Sequence, residues 1–280
     1  MTDPAPFSPP PPQAVIYLEA RKRVQEQVLF RLFLIMWLVG VPTSLGVIAV
    51  FAFNQEFFAV RREVRNGMYS PFAYLLASTA IQLPMMLILA AGAISISAYG
   101  IGAFWGPNYL LYLITYAVVL WGFECLAQLC SVASANPLMG MLNYMNLWFT
   151  GFLFAGVMVP EEDVIWPFRA FCYILPFRWG LTSMAFIEYK DATYGGAVLD
   201  PSVEKGYTCP GDTTGLACYG VTGTQVLDAI GANYKSISSE DTLGRDIGYN
   251  LVIAAVCKLG YIAFMSLQMR SKQKWKKKSD

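Results

Sequence analysis

The chain has 280 residues, 56% of them hydrophobic and only 14% charged, with a mean hydropathy of +0.45. That is far more apolar material than one water-soluble core can bury, and a bilayer is its natural solvent. The net charge of +1 hides a segregation, because residues 160–245 carry eleven acids against six bases and leave the other exposed ends basic. There is no histidine, which excludes His-based triads, His-ligated zinc and the commonest general base. No G-x-x-x-x-G-K-S/T phosphate loop is present, so this chain is not expected to be an enzyme or to hydrolyse ATP.

Residues 1–12, MTDPAPFSPPPP, predict a disordered or polyproline lead without the apolar core of a signal peptide. Residues 15–28 mix charged and apolar side chains at helical spacing and predict an interfacial helix, so 1–27 stands apart from a membrane domain at 28–270. Four apolar runs follow at about 29–53, 71–101, 109–132 and 139–159, each near the roughly 20 residues of a spanning helix. Gly106-Pro107-Asn108 predicts a tight hairpin between the second and third. Pro42 and Pro84 predict kinks, which membrane helices tolerate.

After Pro160 come Glu161, Glu162, Asp163 and an aromatic stretch broken by Pro167, Arg169, Pro176 and Arg178. It is too interrupted for a clean span and predicts re-entrant or interfacial helices, since Trp and Arg suit the headgroup level. Residues 188–245 are polar and predict a folded loop, giving a subdomain at 160–245. A fifth span is expected at 246–268, followed by a basic tail at 271–280. The fold class is therefore an all-α integral membrane bundle of about five transmembrane helices. The lysine and arginine counts place the tail and the loop with Arg61, Arg62 and Arg65 in the cytoplasm, and the acidic segment outside. Arg21, Lys22 and Arg23 would then lie outside, which calls for a preceding span or a helix held in the interface.

Cys125, Cys130, Cys172 and Cys257 lie in or beside apolar runs and read as small packing residues. Cys209 and Cys218 lie in the exterior segment, where an oxidising compartment favours a disulfide between them over free thiols or a bridge to a partner chain. Glu124 and Lys258 fall inside spans, where an isolated charge costs about 2.5 to 3.5 kcal/mol. At about 22 and 18 Å from the outer face, an ion pair between them is open on geometry. A structural polar bond, a proton relay and a substrate contact are the other readings.

The stretch EFFAVRREVRNGMYSPFAY, residues 56–74, resembles the cytoplasmic loop after the second span of G-subfamily and pleiotropic-drug-resistance-type ABC transporters. Glu56, Arg62, Glu63, Asn66, Gly67, Met68, Tyr69, Ser70 and Tyr74 stand in that family's order and spacing. Residues 152–189 resemble its fifth span and the exit into the exterior loop, so the likeness covers roughly 28–270 and the five spans correspond to spans two to six. Phe57 departs from the family's usual Arg, and the family's first span and nucleotide-binding domain are expected to be missing.

The resemblance implies a membrane-spanning subunit of an ATP-driven exporter of lipophilic compounds or lipids, of the ABC-2 type, working by alternating access in the plasma membrane. ATP and Mg would be bound by a nucleotide-binding ATPase partner, and a second membrane domain, identical or not, would complete the pathway; nucleic acid is not expected. It assigns Glu56, Arg61, Arg62, Glu63, Arg65, Asn66 and Gly67 to coupling with the ATPase, on a short amphipathic helix at about 55–66 and the loop after it. Ordinary anchoring by basic residues explains those arginines equally well. It also implies a plug at Val157 and Met158, and a substrate cavity lined by Phe33, Trp37, Asn146 and Phe149. The alternative is a truncated, non-transporting membrane domain that assembles with or regulates full transporters. A channel or membrane enzyme of unrelated type is disfavoured by the missing histidine and nucleophile constellation.

Overall fold

The structure is a computed structural model that describes residues 22–101, 108–134, 136–203, 205–209 and 218–279, with side chains to Leu267 in the last helix. The lead at 1–12, most of the expected interfacial helix, the Gly106-Pro107 turn and the terminal lysine side chains lie outside these residues.

A 3-10 turn at Gln25–Gln27 leads into helix α1, Val28–Ser44, and helix α2, Gly46–Arg65. The bend between them at Leu45 has a chemical cause. Pro42 has no N–H to give the Leu38 carbonyl, and the Tyr116 hydroxyl donates to that oxygen instead at 2.7 Å. Past the bend, the Thr43 carbonyl accepts the Tyr144 hydroxyl at 2.5 Å. That approach requires Gly46, because a Cβ there would collide with the Tyr144 ring and hydroxyl. The carbonyl freed by the proline and the one at the bend thus each take a tyrosine hydroxyl from a neighbouring helix, as the interior of a membrane protein demands. The expected separation of a span at 29–53 from a coupling helix at 55–66 is corrected here: α2 runs unbroken from Gly46 to Arg65. Nothing between Phe53 and Phe57 stops a helix, whereas Pro42 does.

Helix α3, Pro71–Ala93, opens on Ser70, whose hydroxyl accepts from the Ala73 N–H at 3.2 Å, with Pro71 in the first turn where its missing N–H costs nothing. It continues as π-helical turns over Ile94–Ile101. Helix α4, Tyr109–Ala133, is the most enclosed of the long helices, packing against α1, α2 and α3. Helix α5, Pro137–Leu153, is capped by Asn136. Among the described residues, four segments are long and apolar enough to cross a membrane: Gln25–Arg65, Pro71–Gly100, Tyr109–Ala133 and Leu243–Leu267.

The span expected at 139–159 is the 17-residue α5, which stops at Leu153. Phe152 lies against Gly40, twelve residues from the start of α1, so α5 ends about 18 Å short of its neighbours at 1.5 Å per residue. Helices α6, Arg169–Ile174, and α7, Pro176–Tyr189, fill the gap. α7 begins mid-bundle, where Pro176 and Phe177 meet Gly122 and Gly151. It returns to the bundle's end at Tyr189, whose hydroxyl donates to the Val28 carbonyl at 2.6 Å. The broken aromatic stretch, for which re-entrant or interfacial helices were expected, thus forms two short helices that turn back into the bundle.

The two ends of the bundle differ. The loop end carries a hairpin of β1, Val198–Leu199, and β2, Tyr207–Thr208, then helix α8, Gly223–Asn233, closed by a capping box between Thr222 and Gln225. Cys209 and Cys218 are joined in a disulfide with Cα atoms 6.1 Å apart. The other four cysteines are buried and free. From here helix α9, Leu243–Ser279, runs back through the bundle. Residues 23–28 also lie at the loop end. The Gly195 N–H donates to the Arg23 carbonyl at 2.8 Å, and the Gln25 amide bonds Gly220 O at 2.7 Å and Tyr219 N at 2.8 Å. Arg23 therefore sits beside the acidic segment, at the same end of the bundle. The opposite, turn end holds Asn66–Ser70 and the bend from α4 into α5.

Candidate functional site

The residues expected to couple to an ATPase gather at the turn end. Phe57 and Val60 of α2, Leu75 of α3, Val132 of α4, and Tyr261 and Met265 of α9 form a small core separate from the main one. Two tyrosines lace α2 to the segment after it. The Tyr74 hydroxyl donates to Glu56 at 2.6 Å, and the Tyr69 hydroxyl donates to Glu63 at 2.6 Å. Their rings stack 6.2 Å apart. Burial and the Glu63 bond push the Tyr69 phenol up to about 12, so it remains a donor at any physiological pH. Arg62, Arg65, Asn66, Gly67 and Met68 are exposed, and Arg61 is half-buried. Gly67 has φ +77°, a conformation that closes the turn and that glycine adopts without strain. The arrangement is a firm helix end with a basic, turn-shaped tip free to meet another surface.

Phe33, Trp37, Asn146 and Phe149 do not enclose a cavity within one chain. Phe33 is half-buried, and Trp37, Asn146 and Phe149 are exposed, on the outer faces of α1 and α5. Trp37 packs on Phe152 at 5.6 Å, Phe152 stacks on Trp148 at 5.5 Å, and Trp148 donates to the Thr43 hydroxyl at 2.9 Å. Of the four, Trp37 thus joins an aromatic row with Phe152 and Trp148 that is anchored on the elbow at Pro42. Val157 and Met158 sit beyond the end of α5 in an irregular turn that begins where Gly156 takes φ +87°. Val157 is buried and Met158 is 42% exposed, so the pair splits between core and surface.

Lys258 donates to Gln82 Oε1 at 2.6 Å and Gln128 Oε1 at 2.5 Å. The interhelical bond open to it is therefore with two glutamines, and Glu124 is not its partner. A further buried ion pair went unread in the sequence: Arg31, fully buried in α1, donates to Glu188 of α7 at 2.7 Å, with Arg23 3.8 Å from the same oxygen. The signal was available, because Arg31 stands inside an apolar run. Glu161, just before the re-entrant pair, accepts from Tyr173 and meets Arg169 at 3.0 Å and Arg178 at 2.7 Å. Burial raises the Glu161 carboxyl, but those three donors outweigh it and hold it below the usual carboxylate range.

The ABC-2 type transporter family matches residues 14–189, more than half of the chain. ABC transporter G family member 33 of Arabidopsis thaliana is 28% identical over 151 residues, and member 37 of the same plant is 28% identical over 146 residues. Each alignment covers 50% of this chain and 10% of the relative.

Proposed function

We propose a transport function from one premise: this chain belongs to the ABC-2 type transporter family. It is a membrane-spanning part of an ABC transporter, and the chemistry of nucleotide hydrolysis lies outside the matched segment. On our reading it exports lipophilic compounds or lipids by alternating access. An ATPase domain docks on the turn end, and a second membrane domain covers the aromatic face of α1 and α5.

The observation that carries this is α2. One continuous helix, Gly46–Arg65, runs from the bend at Leu45 to the basic tip, and the bend is bonded through Thr43 to Tyr144 and Trp148 of α5. Movement at the tip is transmitted along a rigid rod to the helix bearing the aromatic face. Arg62 and Arg65 offer charge-assisted contacts to carboxylates of an ATPase surface. Segregated charge supports a cytoplasmic turn end and an exterior loop end, where the disulfide is at home. Met158, exposed and adaptable at the end of α5, suits a seal that opens and closes.

The test is co-expression with a nucleotide-binding chain of the same subfamily, followed by purification of the complex and ATPase measurement. Stimulated hydrolysis that falls several-fold in an Arg62→Ala, Arg65→Ala variant supports the reading. A stable complex without stimulation or ATP-dependent efflux would favour a non-transporting, regulatory membrane domain.

A further inference from the structure

Beside the elbow, a cavity of about 510 Å³ opens between the α1–α2 bend, α3 and α4, with Tyr144 at its back. Its size falls within the roughly 300–1,000 Å³ of small-molecule sites. The lining is apolar except at three side chains. The Thr43 hydroxyl is spent on the Val39 and Gly40 carbonyls, and the Tyr144 hydroxyl on the Thr43 carbonyl. The third is Glu124, and no hydrogen bond or ion pair reaches its carboxylate among the described residues. Lys258 acts on it only through space, since its ammonium is held by Gln82 and by Gln128, one helical turn further along α4. A carboxylate in a membrane-spanning helix, beside empty apolar space and in contact with no cation of its own chain, is a costly arrangement unless something cationic completes it. The cavity opens sideways past Leu45, Ile88 and Leu89, all more than half exposed on the flank of the bundle. A lipid-soluble molecule can therefore enter from the bilayer.

We infer that this cavity binds an amphipathic organic monocation, its charged centre beside Glu124 and its apolar body against Met86, Leu89 and Phe123. Attraction between opposite charges is strong where water is scarce, and the Phe123 ring is compatible with a soft, weakly hydrated cation. The site is distinct from the aromatic face of α1 and α5, and it does not rest on the transport reading, because it needs neither nucleotide nor partner.

The test is equilibrium dialysis of the purified full chain in zwitterionic nanodiscs against tetraphenylphosphonium, with tetraphenylborate as the anion of similar shape and empty nanodiscs as background. Two variants separate charge from shape. Glu124→Gln removes the charge and should weaken phosphonium binding by about tenfold or more while leaving the borate no weaker. Gly92→Leu fills the cavity from a position where an added Cβ meets nothing within 4 Å, and should abolish phosphonium binding with Glu124 in place. Thermal unfolding checks that each variant is folded. Absence of saturable phosphonium binding to the natural chain overturns the proposal, and so does unchanged affinity in either folded variant. Loss of ATPase coupling in the turn-end variants would leave this result untouched.

Discussion

The loop end and the turn end of the bundle are held by different physics. At the loop end, buried charge and backbone bonds dominate: Arg31 with Glu188, Glu161 with two arginines, Gln25 on the backbone of 195–220, and a disulfide. At the turn end a small aliphatic and aromatic cluster suffices, with two tyrosine–glutamate bonds near the surface. Directional bonds between buried charges fix one geometry, because breaking any of them leaves a group unsatisfied. A small apolar cluster tolerates sliding. The difference suits a fixed cap at one end and a driven lever at the other.

The sharpest way to break this comparison is at Glu188. Glu188→Leu leaves the Arg31 guanidinium buried without its carboxylate, and removing one partner of a buried pair costs about 3–5 kcal/mol. Denaturant unfolding in detergent should show that loss. The double variant with Arg31→Met should recover most of it, since replacing both charges with apolar groups is often neutral. If the single variant unfolds like the natural chain, the loop end is not secured by its charges.

A smaller effect is expected from pH at Glu161. Its folded carboxyl is held below the ordinary value, so its contribution is complete above the unfolded value of roughly 4.3. That contribution disappears as pH falls through the depressed folded value. Hydrogen exchange of residues 161–175 should accelerate several-fold on acidification through that window, and Glu161→Gln should remove the pH dependence. Exchange at the turn end should show no matching step.

Much of the architecture was legible in the sequence because a membrane makes apolar runs nearly unambiguous. Four of the five expected spans fall on helical segments long enough to cross, the broken stretch after Pro160 does turn back into the bundle, and Cys209 pairs with Cys218. What failed is instructive. The end of α5 was placed at 159 because Phe154 to Val159 is as apolar as the helix before it. Hydropathy cannot tell a helix from an irregular turn that Ser236 supports by donating to the Gly156 carbonyl at 3.2 Å. The proposed coupling helix at 55–66 was separated from its span by polarity alone, whereas helical continuity depends on backbone donors and α2 has all of its own. The Glu124–Lys258 pairing rested on matched depth, and depth ignores rotation about each helix: Lys258 faces Gln82 and Gln128. The aromatic face could be guessed only by resemblance, because in lipid an exposed Phe149 and a buried Phe152 look alike in sequence.

The smallest expected effect on stability bears on the lever itself. Tyr74→Phe deletes one hydroxyl whose bond to Glu56 lies near the surface, and a net hydrogen bond of that kind contributes about 0.5–1.5 kcal/mol. The ring stays in place and keeps its stacking on Tyr69, so the unfolding midpoint should move little. What the bond does is tie the start of α3 to the middle of α2, so that the basic tip and two helices move as one body. If α2 works as a rod, Tyr74→Phe should lower the ATPase stimulation of an assembled complex by more than its stability cost explains, with the complex itself still intact. Equal losses in stimulation and in stability would mean that the bond merely helps hold the fold, and the turn end would then resemble the loop end more closely than its sparse polar bonding suggests.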